Sequence, residues 1–361
     1  MKHIKGLDAL RGIAVLLVII HHWFPIYQSN TLKGVLQKIC IPSGEFGVTL
    51  FFVLSGYLIT NILYKAKSSQ QSILSIVRIF IIRRALRIFP IYYLYIISLL
   101  LLDYPINQNE LAYYLTYTSN FLLIQRQKWT SLGHTWSLSV EEQFYLIWPW
   151  LILKIKNNKH VAFLILTFLI APVSVILWLK FIKTEWYYVF TISCIDAFSV
   201  GALYAYLSQG NKLKVFTDFI KISLPICLLI YFTWKLMPIF GYFPRYSFFS
   251  RTIDSIISIS IIHVIVTNQN VFINKWIINN SFLNLLGKIS YGMYLFHYYS
   301  FPFIFDKYIG IHLTKFNFIA SILKSSEGKF FILLPLLILF AYASFKLIEE
   351  PILKLKSKFE Y

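Results

Sequence analysis

Charged side chains are scarce in this chain, at 14% of 361 residues, and acidic ones are scarcer still, with 15 Asp and Glu against 34 Lys and Arg. So little charge beside a 58% hydrophobic composition and a mean hydropathy of +0.65 excludes an ordinary soluble domain. Three cysteines, Cys40, Cys194 and Cys227, are too few and too scattered for a disulfide framework or a metal site. No Gly/Ser linker, low-complexity tract or hydrophilic region interrupts the pattern, so residues 1–361 are expected to form one membrane domain. Internal repeats are missing too, which disfavours common secondary-transporter architectures.

Long apolar runs take the place of all this. Windows of about 20 residues suggest spans near 7–27, 45–64, 80–102, 136–154, 160–181, 188–208, 218–238, 251–273, 282–305 and 330–350. The expected fold is therefore an all-α polytopic bundle of about ten transmembrane helices. Residues 1–27 superficially resemble a signal peptide, but no small-residue cleavage site follows, so the run reads as a retained first helix.

The net charge of +19 raises the question of nucleic acid, and its distribution answers it. With the N-terminus in the cytoplasm, roughly 21 of the 34 Lys and Arg fall on or near cytoplasmic segments. The clusters are Lys2/Lys5, Lys65 to Arg87, Lys154/Lys156/Lys159, Lys212/Lys214 and Lys354/Lys356/Lys358. Basicity is thus mainly a topology signal, with both termini cytoplasmic and membrane lipids rather than nucleic acid as its partners. On this topology the stretch from Asp103 to Thr135 lies outside. Its semi-apolar part, Leu111 to Ile124, is too short to span and could cover the mouth of a cavity. A second outer loop, Asp306 to Lys329, is polar.

Against this apolar background a few ionisable groups stand out. Arg11 and His22 lie eleven residues apart in the run from Leu7 to Tyr27, which returns them to within about 20° of one helix face and separates them by roughly 16 Å. Lipid cannot solvate either group, so that face points at a site. Arg83, Arg84 and Arg87 cluster at the cytoplasmic end of the third span; Arg84 and Arg87, three apart, can converge on phosphate oxygens, or simply anchor the helix at anionic lipid. Glu141 and Glu142 sit inside the fourth span, where two adjacent carboxylates need neutralisation, pairing or water. The ninth span carries Tyr294 and His297 as i,i+3 neighbours.

Depth links three of these. Glu141 falls roughly 8 Å below the outer surface of a ~30 Å core, while His22 and His297 lie roughly 20 Å above the inner one. The expectation is that His22, a glutamate and His297 meet, although depth alone does not prove contact. Elsewhere simpler readings hold. Ser55-Gly56-Tyr57 permits close helix packing or a kink, His21 points about 100° away from His22, and Glu349-Glu350-Pro351 ends the last helix near the cytoplasm, where it could pair with the arginine cluster or form a plain solvated helix end.

Taken in order, LDALRGIAVLLVIIHH, GVTLFFVLSGYLI, FIIRRALRIFPIYYL, HTWSLSVEEQFYLIWP, LGKISYGMYLFH and FKLIEEPI resemble the successive signatures of the acyltransferase-3 family of integral membrane O-acyltransferases. The resemblance runs over essentially the whole chain. It implies a bacterial cytoplasmic (inner) membrane, multi-pass location, an acyl-coenzyme A donor, usually acetyl-CoA, and a hydroxyl of a cell-surface or lipid-linked glycan as acceptor. It places the family's Arg-x10-His pattern on Arg11 and His22, its Arg-x-x-Arg pattern on Arg84 and Arg87, and its helix 4 glutamates on Glu141 and Glu142. His297, Tyr294 and Ser55 are read beside them as supporting residues. Many relatives add an outer helix and a soluble C-terminal esterase-like domain, both expected to be lacking here, so a separate extracytoplasmic partner could complete the transfer.

Two mechanisms fit that resemblance. His22 could act as general base for direct attack on the thioester, with Glu141 or Glu142 fixing its tautomer or receiving the proton, or it could be acylated first and pass the group outward. Competing readings are a non-glycan acceptor such as a lipid, peptide or antibiotic, a transporter or flippase of lipid-linked sugars, and a non-catalytic scaffold.

Overall fold

The computed structural model describes residues 5–25, 27, 31–209, 212–237, 249–267, 274–313, 315 and 317–360. Lys2 and the expected span ends at 238 and 268–273 lie outside the described residues. All regular structure among the described residues is helical. Among the described residues, seven helical segments are long and apolar enough to cross a membrane: Gly6–Trp23, Leu32–Lys67, Ile73–Leu101, His160–Phe181, Leu213–Leu236, Ser250–Thr267 and Ser326–Lys358.

In chain order the helices are α1 (Lys5–Trp23), α2 (Leu32–Cys40), α3 (Gly44–Lys67), α4 (Ile73–Leu101), α5 (Gln108–Leu115), α6 (Ser119–Arg126), α7 (Trp136–Lys154), α8 (His160–Phe181) and α9 (Ile195–Leu207). They continue as α10 (Leu213–Leu236), α11 (Ser250–Thr267), α12 (Ser281–Lys288), α13 (Ser290–Phe296), α14 (Ser300–Phe305), α15 (Asn317–Lys324), α16 (Ser326–Ser344) and α17 (Glu350–Lys354).

Three expected spans take another form. The fourth is α7, a continuous 19-residue helix that carries both glutamates and is not among the seven most apolar segments. In place of a span at 188–208 there are two short 3-10 turns followed by α9, whose 13 residues reach only about 20 Å. The run at 282–305 breaks into α12, α13 and α14, with interruptions at Ile289 and from His297 to Tyr299. Window hydropathy registers apolar content and is blind to continuity. Broken backbone at membrane depth is tolerated where protein surrounds it, and Ile289 and His297 are both fully buried.

Helix α3 forms the axis of the bundle, packed against α1, α7, α9 and α11. Small residues bring these backbones together. A Cβ at Gly56 would lie 2.0 Å from the carbonyl oxygen of Phe198 on α9, and one at Gly201 would lie 2.2 Å from that of Val53. The same device joins α1 to α12, where a Cβ at Gly287 would lie 1.8 Å from the carbonyl oxygen of Asp8. With no hydrophobic drive between helices in lipid, such close approach is what packs them. At the periphery, α8 and α10 turn Leu166, Ile222 and Leu229 outward, a pattern that an apolar solvent permits.

The stretch expected outside, 103–135, is folded. It forms α5, α6 and a 3-10 turn, and Leu122, Leu123 and Leu132 are buried. Its polar groups tie it down: Tyr92 donates to the carbonyl oxygen of Tyr114 at 2.8 Å, and Gln143 on α7 donates to Asn120 Oδ1 at 3.0 Å. The polar 306–329 stretch contains α15, and Lys329 bridges Asp306 at 2.5 Å.

Candidate active site

Two adjoining cavities of different chemistry lie around α3. The first is lined by Arg11, Arg84, Arg87, Ser55, Glu141, Glu142, Tyr145 and Tyr291, among others. Helix α1 delivers Arg11, which pairs with Asp8 one turn earlier at 3.0 Å. Helix α4 delivers Arg84 and Arg87 three residues apart, on one face as the spacing predicts. Arg84 is held over the rings of Phe80 and Tyr145, at 5.4 and 5.6 Å from their centroids. Arg83 turns elsewhere: its Nη1 donates to the carbonyl oxygen of Phe359 at 2.5 Å, which docks the segment after α17 on α4. The cluster therefore divides, two arginines facing the cavity and one holding structure.

The glutamates belong to this arginine cavity. Ser55 Oγ donates to Glu141 Oε1 at 2.7 Å and lies 3.4 Å from the Tyr145 hydroxyl. Glu142 is buried, and its Oε1 has no hydrogen-bond partner among the described residues. In the triplet Ser55-Gly56-Tyr57, Gly56 packs against α9 as expected, while Ser55 additionally faces the cavity and holds a carboxylate.

A second and larger cavity contains His21, His22 and His134. Its walls include the rings of Trp129, Trp136, Trp186, Tyr187 and Tyr188 and the side chains of Glu45, Glu185, Asp196, Asp254 and Arg251. Trp129 and Trp186 meet edge to face with centroids 5.5 Å apart, and Trp186 stacks on Tyr188 at 5.9 Å. Arg251, at the start of α11, donates to the carbonyl oxygens of Ser193 at 3.0 Å and Tyr188 at 2.6 Å and contacts Cys194 Sγ at 3.0 Å. Asp196 accepts from the backbone of Ala197 and from Thr252 Oγ1, at 2.9 and 2.7 Å.

The histidines form a directed chain. His297 Nδ1 lies 2.6 Å from the carbonyl oxygen of Tyr294, which can only accept, so Nδ1 carries the proton and Nε2 a lone pair. His22 Nδ1 lies 2.9 Å from the carbonyl oxygen of Val18 and 3.2 Å from His297 Nε2, so it too is the protonated nitrogen. In neutral imidazoles this leaves Nε2 of His22 as a free base on a ring that lines the second cavity. His134 donates from Nε2 to the carbonyl oxygen of Leu295 at 3.0 Å, and its Nδ1 has no partner among the described residues. Its ring stacks on Tyr298 with centroids 4.6 Å apart.

Of the residues singled out in the sequence, His22 and His297 meet as their depths suggested. Glu141 and Glu142 do not join them; they face Arg11, Arg84 and Arg87 instead. Equal depth leaves the direction around each helix open, and α7 turns its glutamates toward α3 and α4. Arg11 and His22 share α1 yet line different cavities. Tyr294 lines both. Sequence reasoning passed over His134, although it opens the same motif as the glutamates. It also passed over Asp196, Arg251 and Asp254, whose signal was charge inside or at the edge of expected spans.

The acyltransferase domain family matches residues 4–347. A Staphylococcus aureus (strain COL) protein named "Putative O-acetyltransferase" is 28% identical over 383 residues, covering 98% of this chain and 58% of the relative. The "Peptidoglycan O-acetyltransferase OatA" of Listeria monocytogenes is 34% identical over 178 residues, covering 44% of this chain and 26% of that protein. The chain thus spans little more than half the length of the first of these relatives. No solved structure matches.

Proposed function

The chain belongs to the acyltransferase-3 family, and from that premise we propose that it is a multi-pass membrane O-acyltransferase that moves an acyl group, most simply acetyl, from acyl-coenzyme A to a hydroxyl of a cell-surface or lipid-linked glycan. The observation that carries this reading is the pairing of an arginine-lined cavity with an aromatic and carboxylate-lined one at which His22 offers a free Nε2.

The arginine cavity suits the donor's phosphates. Guanidinium forks match phosphate oxygens, and Arg84, Arg87 and Arg11 surround one space. The second cavity suits a sugar, because its tryptophan and tyrosine rings offer flat apolar faces to C–H groups while its carboxylates accept from hydroxyls. His22 Nε2 takes the proton of the acceptor hydroxyl as its oxygen attacks the thioester carbonyl. The ester C–O bond forms, the C–S bond breaks, and the proton held by His22 passes to the departing thiolate. The carbonyl oxygen of Val18, at 2.9 Å, accepts from His22 Nδ1 and fixes the tautomer, and His297 Nε2, at 3.2 Å, is a second acceptor that steadies the imidazolium, the task that a carboxylate performs for other catalytic histidines. Direct transfer is favoured over an acyl-histidine because His22 lines the acceptor's cavity and not the donor's.

The surplus of Lys and Arg near one set of helix ends supports cytoplasmic termini with the arginine cavity facing the cytosol. Bacterial relatives support a cytoplasmic-membrane location. The test is expression in a bacterium that lacks envelope O-acetylation. Base-labile acetate should appear on its glycans with the wild type and be lost with His22→Ala; equal acetate with both proteins, or none with either, contradicts the reading.

A further inference from the structure

We infer that Val48 and Tyr294 form a fixed waist between the two cavities, through which only the acyl end of the donor passes, and that these side chains thereby set the length of the acyl group transferred. The inference rests on the acyl-transfer reading above. Among the described residues, Val48 and Tyr294 are the two that line both cavities.

Both are held in place. The Tyr294 hydroxyl lies 2.5 Å from Ser137 Oγ and 3.2 Å from the carbonyl oxygen of His134, and its ring packs edge to face on Phe51 at 6.1 Å. Its carbonyl oxygen also accepts from His297, so the residue that narrows the passage orients the histidine pair beside it. Val48 is stiff at χ1, as β-branched residues are. Its backbone is already pressed against α1 and cannot shift further toward it, because a Cβ at Gly47 would lie 2.6 Å from the carbonyl oxygen of Ala14, and one at Gly44 2.6 Å from the Cβ of His21.

The donor's charged part stays with the arginines while its carbonyl must come within reach of His22 Nε2. The carbons beyond that carbonyl then extend past the waist into the space where the acceptor lies. A two-carbon group barely passes the waist, whereas every further carbon of a longer chain must lie along the Val48 and Tyr294 side chains. Because both side chains are held, they do not move aside for those carbons, and an added methylene at a tight contact is felt.

Binding of coenzyme A, acetyl-coenzyme A and hexanoyl-coenzyme A to the full chain in nanodiscs tests this, with wild type, Val48→Ala and Val48→Ile compared. In the wild type, hexanoyl-coenzyme A should bind about tenfold more weakly than acetyl-coenzyme A, a difference of about 1.4 kcal/mol. Val48→Ala should bring that ratio to within about threefold and Val48→Ile should widen it, with coenzyme A binding equally to all three. That constancy also reports that the variants are folded. A ratio that Val48→Ala leaves unchanged, or a wild type indifferent to chain length, overturns the waist and leaves the acyltransferase reading standing. A wild type that binds neither coenzyme A nor acetyl-coenzyme A removes the reading and the waist together.

Discussion

His297 Nε2 lies 3.2 Å from His22 Nδ1, across the gap between a broken helix and the end of α1. Because His297 donates its own Nδ1 proton to the carbonyl oxygen of Tyr294 in its own turn, it meets His22 as an acceptor. His297→Ala should therefore slow acyl transfer by about 10²-fold, the scale of a general base that loses its orienting partner, while donor affinity changes less than twofold. Turnover and binding measured on the same preparation check this, and a loss confined to donor affinity would contradict it.

Arg84 and Arg87 are expected to act on the donor alone. Charge-assisted bonds to phosphate are worth about 1.5–3 kcal/mol each, so Arg84→Ala or Arg87→Ala should weaken acyl-coenzyme A binding by about 10- to 100-fold. Arg83→Ala should leave affinity within about threefold, since its guanidinium bonds the chain at Phe359. Equilibrium binding of labelled coenzyme A distinguishes the three.

Ser55→Ala removes the hydroxyl that Glu141 accepts from at 2.7 Å. A bond to a charged group contributes about 1.5–3 kcal/mol, and Glu141 is only partly exposed, so the melting temperature of the detergent-solubilised protein should fall measurably. Glu141→Gln, which keeps the shape and still accepts from Ser55, should retain more stability than Glu141→Ala.

Gly287→Ala should be among the most damaging single-methyl changes in the chain. Its Cβ would lie 1.8 Å from the carbonyl oxygen of Asp8, so α1 must move, and Arg11 moves with it. Overpacking of this kind costs about 1–3 kcal/mol or more, read as a lower melting temperature together with weaker donor binding.

Much of the candidate site was legible because buried charge is expensive in lipid. Arg11, His22, Arg84, Arg87, Glu141 and Glu142 stood out as ionisable groups in or beside apolar runs, and all six line the two cavities. Their partnerships were not legible, because a helix position gives depth and a face but no neighbour. Glu141 took Ser55 and the arginines, leaving His22 to His297. Arg251 and Asp254, by contrast, are charges at the start of an expected span, a signal of the same kind that went unweighed. The interruption of the ninth span around Ile289 and His297 had no counterpart in a hydropathy window.

Purified wild type and His22→Ala incubated with radiolabelled acetyl-coenzyme A, with donor binding and thioester consumption followed together, test the central claim most directly. The account predicts that both proteins bind the donor and that only the wild type consumes it. Equal consumption by the two proteins would remove His22 from the chemistry and contradict the account.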